Sequence, residues 1–358
     1  MSDDQIQISL RTPTLTAPLA GTGGRLKTDP EDFVVEELPL YEPSGEGPHL
    51  YLWVEKRDVD AQSATQRVGR AFGVPPQDVG VAGNKDKRAV TRQWMSVVDE
   101  AHRWDATNAV EVGLGDDMRV VSASRHQNKL RTGHQRGNRF TITVREVGPE
   151  AMERAEAIVA ELRAHGLPNF YGTQRFGRGG SNVHGGLAML AGTLRRQPDR
   201  YARKMWPSAV QSWLFNTVLA ERMARGELFR VVEGEVMSRV SSGGLFHVED
   251  VEAEQARFDA RETVQMGPMF GTRMFDARGA AAALEAAVLE RFGLSAESFS
   301  VFGKLARGTR RELLVYPEDL QVKAVQGGLE LQFGLPSGSY ATVLLDEVMK
   351  HASDVGSD

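Results

Sequence analysis

Apolar residues recur every second position in the first third of the chain, and this period predicts strands. EDFVVEELP is a short strand closed by Pro39, and HLYLWVEKR alternates as a half-buried strand does. SATQRVGRAFGV follows with helical spacing and a glycine stop. VGVAGNKDKRAVTRQWMSVV then reads as strand, polar turn and strand, with GNKDKR at the turn. MRVVSASR and RFTITVREV predict two more strands, joined by the turn-prone RTGHQRGN.

The period then lengthens. PEAMERAEAIVAELRAHG predicts a helix stopped by Gly166, and a glycine-rich stretch, LPNFYGTQRFGRGGSNVHGG, follows it. GGLAMLAGTLR, PSAVQSWLFNTVLAERMARG and AAAALEAAVLERFG have helical spacing, with an irregular region to about residue 275 before the last of them. RRELLVYPEDLQVKAVQGGLELQFGLP returns to strands and SYATVLLDEVMKH closes with a helix. Strands, then helices, then strands indicate a β-rich unit interrupted by an inserted domain, an α+β class with no internal repeat.

The 358 residues are 41% hydrophobic and 25% charged, enough for a sizeable core. No run approaches 18 apolar residues and the opening MSDDQIQISL is acidic, so a soluble, cytoplasmic chain with no membrane span or secretory signal is expected. The chain has no cysteine, which removes disulfides, thiolate metal sites and thiol nucleophiles together. The eight histidines form no close ligand pattern, so no metal is expected.

A net charge of −5 argues against a polyanionic partner until the charges are located. Met118–Arg145 carries Arg119, Arg125, Lys129, Arg131, Arg136, Arg139 and Arg145 and no acid. A second basic stretch holds Arg175, Arg178, Arg195, Arg196, Arg200, Arg203 and Lys204, with Asp199 its acid. Acids gather instead in the opening segment and in HVEDVEAEQARFDARE. Such runs are commonly solvated faces, but two of them in an acidic chain favour a nucleic acid.

The most informative segment is Ala82–Trp94, AGNKDKRAVTRQW. Asp86 stands between Lys85 and Lys87, with Arg88 next and Gly83 leaving room for close approach of another chain segment. Neighbouring cations favour an ionised carboxylate, available as a nucleophile or base. Read alone, the segment is equally a charged hairpin turn. It resembles, however, the catalytic motif G-x-K-D-x-x-A-x-T-x-Q of the TruD family of tRNA pseudouridine synthases. GTGGRLKTDPEDFVVEE, QRGNRFTITVRE, GLPNFYGTQRFGRGGSN, SAVQSWLFNTVLAER and LPSGSYATVLLDE resemble further blocks of that family, in order along nearly the whole chain.

The resemblance implies that Asp86 is the catalytic aspartate and Lys85 the basic residue before it. Lys27 and Phe33 fall on the family's basic and aromatic site positions. Asn138 and Phe140 match its Asn-x-Phe pair, whose aromatic is expected to stack on the target uracil. Tyr340 stands where the family has Phe, which keeps the aromatic face and adds a hydroxyl. Arg125, Lys129, Arg131, Arg136, Arg175 and Arg178 are the candidates for contact with the RNA backbone. The glycine-rich Asn169–Asn182 stretch is a possible phosphate cradle, its Phe170 and Phe176 packing inward; Leu214, Phe215 and Leu219 are expected in the core.

The implied reaction is isomerisation of uridine, at position 13 in the D arm of tRNA. The N1–C1′ bond breaks, the uracil turns, and a C5–C1′ bond forms, with no cofactor required. The aspartate acts either at C6 of the base or at C1′ of the sugar, and the sequence leaves open both that choice and the acceptor of the C5 proton. The implied fold is a largely antiparallel catalytic domain over residues 1–165 and 314–358, with an inserted TRUD domain over 166–313. A monomer acting on tRNA, without a protein partner, is expected. One rival is an RNA-binding or RNA-folding protein with secondary or lost isomerase activity. Another is a uridine methyltransferase, which lacks here both its thiol and a convincing methyl-donor site.

Overall fold

Leu50, Leu52 and Val54 are buried on one face of their strand, while on the other Trp53 and Glu55 are half-buried and Tyr51 packs in a small cluster with Ala82 and Leu130. The computed structural model describes residues 8–194 and 197–350. Its first part runs β1 (Phe33–Pro39), β2 (His49–Arg57), α1 (Ala61–Phe72), β3 (Gly80–Val81), β4 (Val90–Val98), α2 (Ala106–Val110), β5 (Met118–His126), β6 (Gln135–Arg145) and α3 (Ala151–His165). The middle holds β7 (Leu167–Pro168), α4 (Ser181–Leu190), α5 (Arg200–Ala224), β8 (Val236–Arg239), β9 (Leu245–His247), α6 (Val251–Asp259), β10 (Thr263–Met269), α7 (Gly279–Arg291) and β11 (Thr309–Glu312). β12 (Leu314–Val315), β13 (Glu318–Val325), β14 (Gly328–Pro336) and α8 (Ala341–Met349) end it.

The large sheet has the order β13-β14-β6-β1-β4-β2-β5, with β3 also on β4. Its ladders are antiparallel except β1 with β4, where Val34 lies beside Val90. This is the mixed α+β class expected from the order of strands and helices, with the mostly antiparallel sheet that the family resemblance implies. A four-stranded sheet, β11-β10-β8-β9, belongs to the middle of the chain. Where that part leaves and returns, β7 and β12 pair with each other, Leu167 beside Val315.

One apolar cluster covers the β1/β6/β14 side of the large sheet beneath α3 and α8 and continues through Phe215 and Leu219 of α5 to Met269 of β10. A second lies under α1 against β2, β4 and β5. Phe170, Phe176, Leu214, Phe215 and Leu219 are buried, as their spacing predicts. The opening segment spans both parts: Ile8 and Leu10 pack with the α4/α5 cluster, while the amides of Leu15 and Thr16 donate to Glu347 of α8 at 2.6 and 3.0 Å. No helix among the described residues is long and apolar enough to cross a membrane.

Three features differ from the sequence reading. α5 begins at Arg200 and not near Pro207, because Asp199 caps it by accepting from the Ala202 amide at 2.7 Å. The region to residue 275 is ordered as α6 and a sheet of short strands; Gly267 and Pro268 mask the strand pattern. Gly267 is there for packing, since a Cβ on it would lie 2.5 Å from Leu313 and 2.7 Å from Phe215. α4 starts at Ser181, inside the glycine-rich stretch.

α4 and α5 touch through glycine. A Cβ on Gly186 would meet Val210 at 2.4 Å and the Trp206 carbonyl at 2.7 Å. On an exposed helix Gly→Ala stabilises by up to about 1 kcal/mol. Gly186→Ala is expected to do the reverse, destabilising by about 1–3 kcal/mol, read as a lower urea midpoint.

Candidate active site

The covered face of the large sheet changes character at its middle. On β1 the inward series runs Phe33, Val35, Glu37; on β2 it runs Leu50, Leu52, Val54, Lys56; on β4 it is Thr91, Gln93, Met95, Val97. Asn138 of β6 stands beside Glu37. Lys56, Thr91, Gln93, Glu37 and Asn138 thus form a polar band between the two apolar clusters.

The turn carrying Asp86 sits on this band and is bonded to it. Lys56 Nζ donates to the Asp86 carbonyl at 2.8 Å and to the Val59 carbonyl at 2.6 Å. Gln93 Nε2 donates to the Gly83 carbonyl at 3.3 Å. Lys85 turns its ammonium down, onto Glu37 at 2.8 Å and Gln135 Oε1 at 2.8 Å. Gly83 leaves room for Gln135, whose amide would lie 2.8 Å from a Cβ placed there. Burial pushes the Glu37 carboxyl up, with the Lys85 charge pulling the other way. Burial likewise pushes the Lys56 ammonium down, to about 8.

Asp86 points the other way. Its side chain is 51% exposed and Oδ1 lies 3.4 Å from Lys27 Nζ. Lys27 comes from the segment before β1, where Arg25 bridges to Arg145 and Arg145 holds buried Asp32 at 2.6 Å. Its own φ of 54° is left-handed, and its ammonium lies 4.3 Å from the centroid of the Phe33 ring.

Asp86 opens into a cleft of about 1060 Å³, also bordered by Lys27, Phe33, Lys85, Asn138, Phe140 and Tyr340. All seven catalytic and substrate-binding residues from the sequence therefore meet in one place. Phe140 is nearly buried, stacked on Phe333 at 5.2 Å and edge-on to Phe33 at 6.4 Å, and forms part of the cleft wall. Asn138 Oδ1 is buried and accepts no hydrogen bond within the described residues. The opposite wall is Ser339, Tyr340 and the first turn of α8, with Gln174 from the glycine-rich stretch. Burial raises the Tyr340 hydroxyl above its ordinary range.

The backbone candidates are placed less uniformly. Arg125 is closed into the fold: it pairs with buried Asp99 at 2.6 Å and donates to the Trp104 carbonyl at 2.7 Å, leaving 13% of its side chain exposed. Lys129 pairs with Asp78 and Arg136 with Glu318, at 3.7 and 3.2 Å. Arg175 donates to the hydroxyls of Ser208 and Ser212. Arg131 and Arg178 are exposed. Arg195 and Arg196 lie outside the described residues. Arg25, Lys87 and Arg88 border the cleft itself.

A family model described as tRNA pseudouridine synthase D (TruD) matches residues 10–202 and 191–348. The chain belongs to the TruD family. A tRNA pseudouridine synthase D of Anaeromyxobacter dehalogenans is 44% identical over 351 residues, covering 97% of this chain and 98% of that one. A Thermus thermophilus protein of the same name is 44% identical, covering 95% and 92%. The crystal structure of a TruD protein from Methanosarcina mazei superposes with a TM-score of 0.77 at 26% identity, over 95% of this chain and 96% of its own. Membership carries the reaction class, isomerisation of uridine in tRNA.

This TruD chain also commits Lys56, Glu37 and Gln135 to the site; Glu37 ends the block GTGGRLKTDPEDFVVEE and Gln135 opens QRGNRFTITVRE, yet the sequence reading gave none of the three a role. The signal for Lys56 and Glu37 was an ionisable residue at an inward position of an alternating strand. Gln135, in a turn-prone segment, gave none.

Lys56 gives the site a pH signature. Its folded value near 8 lies below the ordinary 10.5, so between these the unfolded chain binds more protons and stability rises with pH. Wild type should gain on the order of 2 kcal/mol relative to Lys56→Met between about pH 7.5 and about pH 9.5, measured by urea unfolding. An unchanged difference between the two proteins would show that Lys56 titrates normally.

Proposed function

We propose that the chain converts uridine to pseudouridine at position 13 in the D arm of tRNA, with Asp86 as nucleophile and no cofactor. The observation that carries this reading is the exposed Asp86 carboxylate, with Lys27 beside it, on the floor of a cleft walled by Phe33, Phe140 and Tyr340. Uridine and pseudouridine are isomers, so atoms balance without a donor or an oxidant. Asp86 adds to C6 or to C1′, the N1–C1′ bond breaks, C5 bonds to C1′, and the bond to Asp86 breaks again, which frees the carboxylate. N1 ends with a proton and C5 releases one.

The uridine must leave its stack to reach a carboxylate at the floor. Phe140 and Tyr340 receive the base between them, recovering stacking of about 1–3 kcal/mol per base. Asn138, with a buried amide oxygen that lacks a donor among the described residues, reads the uracil edge. Arg25, Lys87 and Arg88 at the rim and Arg131 and Arg178 farther out contact phosphates. Arg131 is well placed for this, because its loop is tied to the catalytic turn by the Gly133 amide on the Ala82 carbonyl at 2.9 Å.

Residues 1–165 with 314–358 form the catalytic domain in this reading, and 166–313 the insertion; the β7/β12 ladder marks the junction. In this reading the chain acts on tRNA as a monomer, without a protein partner, in the cytoplasm; the cleft is lined by residues of this chain from both parts of the fold.

Tritium release from tRNA labelled with 5-[³H]uridine tests the chemistry. Wild type should release one equivalent, mapping to position 13, and Asp86→Asn none, while both bind tRNA equally. Binding without release by either protein would support an RNA-binding protein instead, and release by both would remove Asp86 from the nucleophile's role. Affinity should fall steeply with salt, and Arg131→Gln should lower the log–log slope by about 1 without changing the site modified.

A further inference from the structure

Asp86 is the reacting carboxylate in the proposed isomerisation, and the role assigned below to Lys56 rests on that reading. The aim of the carboxylate has to come from somewhere. Its side chain is half exposed and its ammonium partner, Lys27, stands 3.4 Å away, too long for a tight hydrogen bond. The main chain of the same residue is held more firmly. Lys56 Nζ lies 2.8 Å from the Asp86 carbonyl, and its second bond, 2.6 Å to the Val59 carbonyl, ties it to the end of β2. Its stem runs along the covered face of the sheet and only 1% of the residue is exposed.

An ammonium is an expensive way to fill this position. Leu50, Leu52 and Val54 occupy the equivalent inward positions, and a Met would fit among them without the desolvation of a charge. What Lys56 supplies and Met would not is a rigid link from sheet to turn. We propose that Lys56 is a positioning residue for the isomerisation: its sealed ammonium fixes the Asp86 main chain, so that the exposed carboxylate meets the nucleotide at one angle. Lys85, bonded to Glu37 and Gln135, holds the preceding residue, and the two lysines pin the turn from beneath. Neither ammonium needs to touch the substrate.

The test is single-turnover tritium release with enzyme in saturating excess, where the rate constant does not depend on the folded fraction. Lys56→Met should lower that constant by about 100-fold, the loss that accompanies a misplacement near 1 Å, while tRNA affinity stays within about twofold. Because the chain has no cysteine, Lys56→Cys offers one thiol. Alkylating it with 2-bromoethylamine in denaturant and refolding rebuilds a lysine-like amine, which should restore at least about a tenth of the wild-type rate. A Lys56→Met rate within about threefold of wild type, or a loss shared equally by rate and affinity, would overturn the proposal. So would an aminoethylated protein that stays slow when wild type taken through the same denaturation recovers. Asp86→Asn runs alongside: if it turns over, the reading of Asp86 fails, whereas an inactive Asp86→Asn beside a fully active Lys56→Met removes only the role of Lys56.

Discussion

The structure turns on a polar band laid across the buried face of a sheet. A covered face normally excludes ionisable groups, because each one taken from water must find partners or lose its charge. Here Lys56, Glu37, Gln93 and Asn138 occupy four adjacent strands, and Lys85 reaches them from the turn above. Their partners are largely the main chain and side chains of that turn. The band and the turn therefore depend on each other: the turn supplies a partner to Lys56, Glu37 and Gln93, and the band holds the Gly83 and Asp86 carbonyls and the Lys85 ammonium. The gap between the two apolar clusters is what makes room for both.

The opposite wall is positioned by a different set of contacts. Tyr340 sits in the loop before α8, and this loop is held by residues at the edges of the middle part. Arg311 donates to Asn169 Oδ1 at 2.6 Å and to the Gly338 carbonyl at 3.0 Å, with its guanidinium 4.1 Å from the Tyr171 ring centroid. Ser339 donates to the same Asn169 oxygen at 3.1 Å, and Tyr171 meets Tyr340 edge-on at 5.7 Å. The distance between Asp86 and Tyr340 is thereby set jointly by the large sheet and by Asn169, Tyr171 and Arg311 of the middle part.

Much of this was legible in the chain. Period-2 alternation located β1, β2 and β4 to β6, and the family resemblance gathered seven residues that the cleft brings together. The charge runs were a poorer guide. Arg125 reads as one more cation in a basic stretch, yet Asp99 and the Trp104 carbonyl enclose it, because a run in sequence does not say which side of a strand each residue takes. α6 and the small sheet escaped notice because their strands are short and their residues pack on α5 more than they follow a pattern. The resemblance sets Lys85 against the substrate, but its neighbour Asp86 takes the open side of the turn, and the lysine is left the buried one.

That opposition explains how an acidic chain can serve a polyanion. Arg25, Lys27, Lys87 and Arg88 border the cleft, whereas Lys56 is sealed in the core and Lys85, which also borders the cleft, turns its ammonium down onto Glu37. In the proposed function the first set would draw RNA in and be screened by salt, whereas the second is sealed from solvent and would act on geometry. The acids of α6 are used locally, Asp250 capping the helix and Glu254 pairing with Arg257 at 2.7 Å. Net charge then says little about the partner, because these acids are neutralised by their own element while the rim cations border the cleft. A site built this way separates attraction from aim, so substitutions at the rim should change binding and substitutions beneath the turn should change chemistry.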